Sequence, residues 1–233
     1  MSSEDMSNPL DILHPHETEV DEAQQSWLSQ KVQTGDRVLD LGCGGGRTLL
    51  PLVKLGAICT GIDHDPIGLE WFRNSMSDEG LVADLIEADF HEWLSAADGH
   101  WDLICCLGNT FCQIWNINKA TDLMSQVRQR LAPGGCFVID DIPGDLWPEV
   151  AAGYWQEGLD PDSGQQLVWA DDDLIFTLRP PETADPENWN LSSDDVRLRL
   201  WTAGSLQLAA QVAGFEVPFV PEKSGVRVLT PRN

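Results

Sequence analysis

The segment that most constrains the fold is a glycine-rich turn at residues 42–46, where four of five positions are glycine. It lies between an apolar run, Arg37–Leu41, and a run with helical spacing, Thr48–Leu55. A turn this bare permits a tight strand-to-helix connection and lets a ligand approach the backbone without meeting a Cβ atom. The sequence therefore predicts a strand, a close turn and a helix, with the turn as a candidate binding loop.

Short apolar runs alternate with longer amphipathic runs between residues 36 and 141. Runs that are apolar throughout are typical of parallel strands covered on both faces, and right-handed crossovers then give a doubly wound sheet. The sequence therefore predicts an α/β fold. The predicted strands are Arg37–Leu41, Ile58–Ile62, Leu81–Glu87, Leu103–Leu107 and Cys136–Asp140. The predicted helices are Thr48–Leu55, Ile67–Ser77, Phe90–Ala97 and Lys119–Leu131.

The pattern changes after the fifth predicted strand. Residues 140–196 carry fifteen acids and one base, Arg179. Three β-like segments, Gln165–Ala170, Leu174–Leu178 and Val196–Trp201, predict a small antiparallel β insertion. A helix over Gly204–Val212 and two final strands at 215–220 and 225–232 would follow. We expect four regions: an arm and helix at 1–30, the core at 31–141, the insertion at 142–201, and 202–233, which completes the core.

Composition limits the partners and the compartment. A net charge of −24 disfavours nucleic acid, because such a surface repels phosphate backbones. The six cysteines lack the spacing of a zinc site, so we predict buried free thiols and no bound metal. No apolar run reaches the roughly 18–20 residues that span a bilayer, and the acidic start is unlike a signal peptide. We expect a cytoplasmic protein without a membrane partner.

Acidic residues follow the second and third predicted strands, at the same edge as the glycine turn. Asp63 ends the second strand, and Asp89, followed by Phe90, ends the third. The first carboxylate can accept both hydroxyls of a ribose, and the acid beside an aromatic ring suits an exocyclic amine and a purine face. Each acid alone is also typical of a turn. Together, at the strand ends where open α/β sheets bind ligands, they predict a nucleoside pocket.

Five motifs in order resemble those of class I S-adenosylmethionine-dependent methyltransferases: VLDLGCGGG, GIDHDP, EADF, WDLICCLGNTF and LAPGGCFVID. The resemblance covers about residues 37–140. It implies S-adenosylmethionine as cofactor and a Rossmann-like sheet of seven strands, the last one antiparallel. The implied cofactor-binding residues are Asp40, Gly42, Cys43 and Gly44 for the methionine end, Asp63 for the ribose, Asp89 and Phe90 for the adenine, Leu107 as the floor, and His64 beside the adenine or in solvent.

The methyl acceptor is addressed by a second resemblance. The stretch CCLGNTF and the β-rich insertion resemble the glycine and sarcosine N-methyltransferase branch, which implies Asn109 and Thr110 near the sulfonium. In that branch an arginine after strand five grips the substrate carboxylate, whereas Ile142 stands there in this chain. Isoleucine cannot form two parallel hydrogen bonds to a carboxylate. Glycine is therefore disfavoured as the methyl acceptor, unless Arg179 binds its carboxylate in place of the missing arginine.

The remaining substrate-side predictions come from residue chemistry. Asp140 or Asp141 would take a proton from an amine or stabilise the cation formed, and aromatic rings such as Tyr154 and Trp155 would border the acceptor or form the core of the insertion. No His lies in the insertion, which favours nitrogen over a phenolic oxygen.

We predict a small-molecule methyltransferase acting on an amine. The alternatives are an O- or carboxyl-methyltransferase and a non-catalytic S-adenosylmethionine-binding protein. The predicted catalytic residues are Asn109, Asp140 and Tyr154, and the predicted substrate-binding residues are Thr110, Asp141, Trp155 and Arg179.

Overall fold

The computed structural model describes residues 18–140, 156–171 and 173–232, which form strands and helices in alternation after the glycine turn. The strands are β1 (Arg37–Leu41), β2 (Ile58–Asp63), β3 (Asp84–Glu87), β4 (Trp101–Cys106), β5 (Leu131–Asp140), β6 (Gly158–Leu159), β7 (Gln166–Trp169), β8 (Ile175–Arg179), β9 (Leu198–Arg199) and β10 (Val226–Leu229). The helices are α1 (Thr18–Lys31), α2 (Leu49–Lys54), α3 (Pro66–Asp78), α4 (Phe90–Ala96), α5 (Ile117–Arg130) and α6 (Ala203–Val212), with a 3₁₀ turn at Thr110–Gln113.

The main sheet has the strand order β10-β5-β4-β1-β2-β3. Strands β1 to β5 pair in parallel, whereas β10 runs antiparallel to β5. Strand order therefore reverses beside β1, which is where doubly wound sheets bind ligands. The predicted α/β doubly wound fold with an antiparallel last strand is confirmed.

Both faces of the main sheet are covered by apolar side chains, as the strand sequences predicted. Alternate residues of β5 enter different clusters: Phe137 and Ile139 pack on one face, whereas Cys136 and Val138 pack on the other. This alternation follows from the two-residue period of a strand. All six cysteines are buried and free, which confirms the prediction of buried thiols.

The predicted strand at 215–220 is the main correction to the fold. It makes only two isolated bridges, from Phe215 to Pro231 and from Phe219 to Val228. Pro218 lies in the middle of this segment and has no amide hydrogen to donate, so a continuous ladder cannot form there. Among the described residues the main sheet therefore has six strands, not seven.

The insertion forms a second, antiparallel sheet with the order β6-β7-β8-β9, one strand more than predicted. Its side chains Leu167, Phe176 and Leu198 belong to the same hydrophobic cluster as Phe111 and Trp201. Phe111 follows the tip of β4, so this sheet packs beside the carboxyl edge of the main sheet.

Helix α1 confirms the helix predicted within residues 1–30. Gln24 and Leu28 are its buried residues, and the half-buried Trp27 on the same face packs against the same hydrophobic cluster as Leu28. A buried glutamine requires hydrogen-bond partners, and these partners bring the helix to the site described below. Within the described parts of the chain, no helix combines the length and the apolar character that crossing a bilayer requires.

The glycine turn provides a first test of the fold. Gly46 has a φ of +85°, and a Cβ there would overlap the ring of Phe72. We expect Gly46→Ala to lower the free energy of unfolding by about 2–4 kcal/mol, because strain and overpacking add. Gly45→Ala is the matched control, since a Cβ at Gly45 meets nothing within 4 Å. Equal stability of the two variants in urea titrations would contradict this packing.

Candidate functional site

The glycine turn is open on one side and packed on the other. The amides of Gly42 and Cys43 both donate to the Ile62 carbonyl, at 2.8 and 3.1 Å, which joins the turn to β2. A Cβ at Gly42 would overlap the side chain of Thr110, whereas a Cβ at Gly44 would meet nothing within 4 Å. The face of the turn at Gly44 therefore leaves room for a ligand beside the backbone.

Asp63, at the end of β2, holds the glycine turn directly. Its Oδ2 accepts from the Gly44 amide at 2.7 Å, and its Oδ1 accepts from the Asp65 amide at 2.9 Å. The side chain is largely buried, while that of the neighbouring His64 is 78% exposed. A carboxylate has about four acceptor positions, so two remain for ribose hydroxyls.

Asp89 and Phe90 lie at the tip of β3, next to the tip of β2. The Oδ1 of Asp89 caps α4 by accepting from the amides of His91 and Glu92, at 2.8 and 3.1 Å. The side chain of Asp89 is exposed, and the half-buried ring of Phe90 stacks on His91 with a centroid separation of 5.3 Å. The turn role expected for an isolated aspartate is therefore present, and Oδ2 accepts no hydrogen bond from the described residues.

Asp40, near the end of β1, is a buried carboxylate whose Oδ1 has no hydrogen-bond partner among the residues that the structure describes. Burial raises its pKa from 3.8 to about 7, the Arg47 cation opposes this change, and the charges of Asp63 and Asp140 add to it. A buried acceptor without a partner costs free energy, and a nearby cationic group would offset that cost. Asp40 is therefore suited to an ammonium group of a ligand.

Asp140, at the end of β5, anchors the turn that follows β4. Its Oδ1 accepts from the Gly108 amide at 3.2 Å, and its Oδ2 accepts from the Asn109 amide at 2.8 Å. Both turn residues are left-handed, with φ of 71° and 60°, a conformation that asparagine adopts more readily than other non-glycine residues. The structure brings together Asn109 and Asp140, two residues predicted to act in catalysis.

Two further residues at this edge, Gln24 and Arg47, are not predicted from the sequence. Gln24 of α1 is fully buried; its Nε2 donates to Asp140 Oδ1 at 2.8 Å and to the Gly225 carbonyl at 2.9 Å. Its Oε1 accepts from Arg47 Nη1 at 3.0 Å, and the same nitrogen contacts Asp21 at 2.5 Å. The signal that could have found Gln24 is its place four residues before Leu28, on the buried face of α1.

Leu107, Cys43 and Thr110 form the base of the site. Leu107 and Cys43 are buried in one hydrophobic cluster, and the Thr110 hydroxyl donates to the Leu107 carbonyl at 2.9 Å. Burial raises the pKa of the Cys43 thiol, so this thiol is a packing group. Asp141, Tyr154 and Trp155, predicted to act on the acceptor, lie outside the described residues.

Arg179 does not have the role predicted for it. Its five N–H bonds are all used inside the insertion: Nε and Nη2 pair with Asp195, and the other donors bind Gln166 and the carbonyls of Asn188 and Asn190. Its side chain is 6% exposed. A guanidinium has five donors, so none remains to grip a substrate carboxylate. Arg179 is a structural residue of the second sheet.

Comparison with known proteins agrees with this geometry. Residues 38–135 match the family described as a methyltransferase domain. The chain is 33% identical over 131 residues to ribosomal protein L11 methyltransferase of Ralstonia nicotianae, covering 55% of this chain and 39% of that protein. It is 28% identical over 138 residues to ubiquinone biosynthesis O-methyltransferase of Histophilus somni, covering 58% and 54%. The structure of S-adenosylmethionine-bound CalS10 from Micromonospora echinaspora, an amino pentose methyltransferase, aligns at a TM-score of 0.57 and 18% identity over 99% of this chain and 100% of that one.

These similarities confirm the Rossmann-like α/β fold, and they show that the core is similar to methyltransferase domains. They do not distinguish the glycine and sarcosine branch from others. The chain spans less than two thirds of the length of both relatives named above. One relative's name includes a ribosomal protein, so the comparisons support neither the predicted exclusion of nucleic acid nor the predicted small-molecule acceptor.

The buried carboxylate of Asp40 gives a test by pH. Because its pKa is raised on folding, the folded state is penalised increasingly as the pH rises from about 4 to 7, and by a constant amount above 7. We expect Asp40→Asn to stabilise the ligand-free protein by about 1–3 kcal/mol more at pH 8 than at pH 5. Asp98→Asn, at an exposed position, controls for the lost charge. Urea unfolding at both pH values measures the difference, and an equal gain at both would be contrary to this assignment.

Proposed function

We propose that this protein is an S-adenosylmethionine-dependent methyltransferase that methylates an amine nitrogen of a small molecule. The observation that carries the proposal is the position of Asp40, Asp63 and Asp89 at the ends of three neighbouring strands, at the sheet edge that carries the open glycine turn. This arrangement offers an ammonium partner, a ribose acceptor and an adenine acceptor in the order in which the cofactor presents these groups. The methyltransferase-domain match over residues 38–135 supports it.

The residues present fit the cofactor at each end. The unpartnered oxygen of Asp40 suits the methionine ammonium, and the free face of Gly44 admits the chain that links methionine to the nucleoside. The two remaining acceptor positions of Asp63 suit the ribose hydroxyls. Asp89 and Phe90 offer an acceptor and an apolar ring to the adenine, with His64 on the solvent side.

S-adenosylmethionine supplies a methyl group that is already electrophilic, so the chain has mainly to position the acceptor. Asn109 and Thr110 lie beside the glycine turn and would orient an amine toward it. Asp140 holds the Gly108–Asn109 turn through two backbone amides, so its carboxylate places negative charge where an ammonium product forms. Asp141, Tyr154 and Trp155 remain proposed acceptor residues.

Nitrogen is favoured over oxygen by the residues on the acceptor side. A phenol acceptor needs a base, and no histidine follows residue 100 in the sequence. The CCLGNTF stretch supports an amine, whereas Ile142 and the internally paired Arg179 argue against glycine itself. The second candidate is an O-methyltransferase, which the similarity to the ubiquinone biosynthesis enzyme favours.

The ribose role of Asp63 is tested by cofactor binding. We expect Asp63→Asn to weaken binding of S-adenosylmethionine by about tenfold or more, because one charged hydrogen-bond acceptor is lost. Asp84→Asn, at the opposite end of β3, should leave binding unchanged. Isothermal titration with the cofactor, its demethylated product and NAD measures this. Binding of NAD with no response to the sulfonium compound would overturn the proposed function.

The acceptor class is tested by a methyl-transfer screen over amines, amino acids, phenols and peptides with radiolabelled cofactor. We expect turnover of small amines, because the acceptor side carries carboxylates and no histidine base. Turnover confined to phenols would replace the amine by the O-methyltransferase candidate. Turnover confined to peptides would show a macromolecular acceptor.

A further inference from the structure

Arg47 is a cation beside the glycine turn, and it has no role in the proposed function described above. It follows Gly46 directly and lies between the turn and α1. Its Nη2 is 3.5 Å from the position that a Cβ on Gly108 would occupy, so the guanidinium lies over the turn that follows β4. Arg47 therefore bridges the glycine turn of β1 and the anchored turn of β4, the two loops that would border the methionine end of the cofactor.

The guanidinium is held from one side only. Its Nη1 contacts Asp21 at 2.5 Å and donates to Gln24 at 3.0 Å. Within the described part of the chain, Nε and Nη2 donate no hydrogen bond. The Nη1 side of the guanidinium is thus fixed by α1, whereas the Nη2 side faces Gly108. Fixing an arginine in advance lowers the entropy lost when it binds a ligand.

We propose that Arg47 binds the α-carboxylate of the methionine moiety of the cofactor, opposite Asp40, which takes the ammonium group. This inference rests on the proposed function and assigns a further cofactor-binding residue. The chain carries a net charge of −24, and Asp40, Asp63 and Asp140 lie around this end of the site. A ligand carboxylate would be repelled there without a cation close to it. Arg47 already interacts electrostatically with Asp40, so the two residues form a pair of opposite charges matched to a zwitterion.

The geometry also explains the residues of α1. Asp21 and Gln24 hold Arg47, and Gln24 is in turn fixed by Asp140 and the Gly225 carbonyl. Gln24 is therefore a positioning residue for the arginine. A lysine at position 47 would keep the charge but could not bind Asp21, Gln24 and a carboxylate with one planar group.

The test compares two ligands that differ in the amino-acid part. S-adenosylhomocysteine carries the zwitterion, and 5′-deoxy-5′-methylthioadenosine carries the nucleoside alone. We expect Arg47→Gln to weaken binding of S-adenosylhomocysteine about 10–100-fold and to change binding of methylthioadenosine less than about twofold. Arg130→Gln, at the far end of α5, removes the same charge and should change neither. Isothermal titration measures both ligands on each variant.

A third ligand keeps the test decisive if Arg47→Gln fails to fold. Decarboxylated S-adenosylhomocysteine lacks only the carboxylate, and wild-type protein should bind it about 10–100-fold more weakly than the intact compound. Arg47→Lys should show a smaller ratio between these two ligands. Two results would overturn the proposed binding of the carboxylate by Arg47. One is an equal loss of affinity for S-adenosylhomocysteine and methylthioadenosine in Arg47→Gln, and the other is equal affinity of the wild-type protein for the intact and the decarboxylated compound. If wild-type protein binds neither adenosine ligand, the proposed function itself fails.

Discussion

The hydrogen bond from the Gly44 amide to the Asp63 carboxylate, at 2.7 Å, is the contact on which the site depends. It joins the turn after β1 to the end of β2, and it requires left-handed glycines that no other residue would replace without strain. The same carboxylate accepts the Asp65 amide where α3 begins. One side chain thus sets the turn, the next helix and the acceptor positions for a sugar.

The sequence predicted the β1 to β5 core well because its signals are local. Each strand tip carries its own motif, and parallel pairing of neighbouring strands brings these tips together without further information. The strand boundaries agree within three residues except for β5, which begins at Leu131 and not at Cys136, and the cysteines are buried as expected. The predicted strand at 215–220 is wrong because Pro218 has no amide hydrogen to donate to a ladder, although the segment around it is apolar.

Contacts between distant segments could not be predicted from the same signals. Gln24 and Asp140 are 116 positions apart, and periodicity shows which face of α1 is apolar but not which polar residue is buried. The predicted substrate-binding role of Arg179 is wrong for a related reason. As the single base among many acids it resembled a substrate clamp, but folding closes its five donors on Asp195, Gln166 and two carbonyls. Charge counting cannot distinguish a recognition site from an internal ion pair.

The position of Gln24 has a consequence for how the protein is made. Its amide group joins residues near positions 24, 140 and 225, so α1 cannot complete these contacts until the segment around Gly225 has emerged from the ribosome. The alternating β–α core can form early, whereas the polar junction that fixes Arg47 and the β4 turn must close last. The binding edge therefore reaches its final form only after the segment around Gly225 has packed against α1.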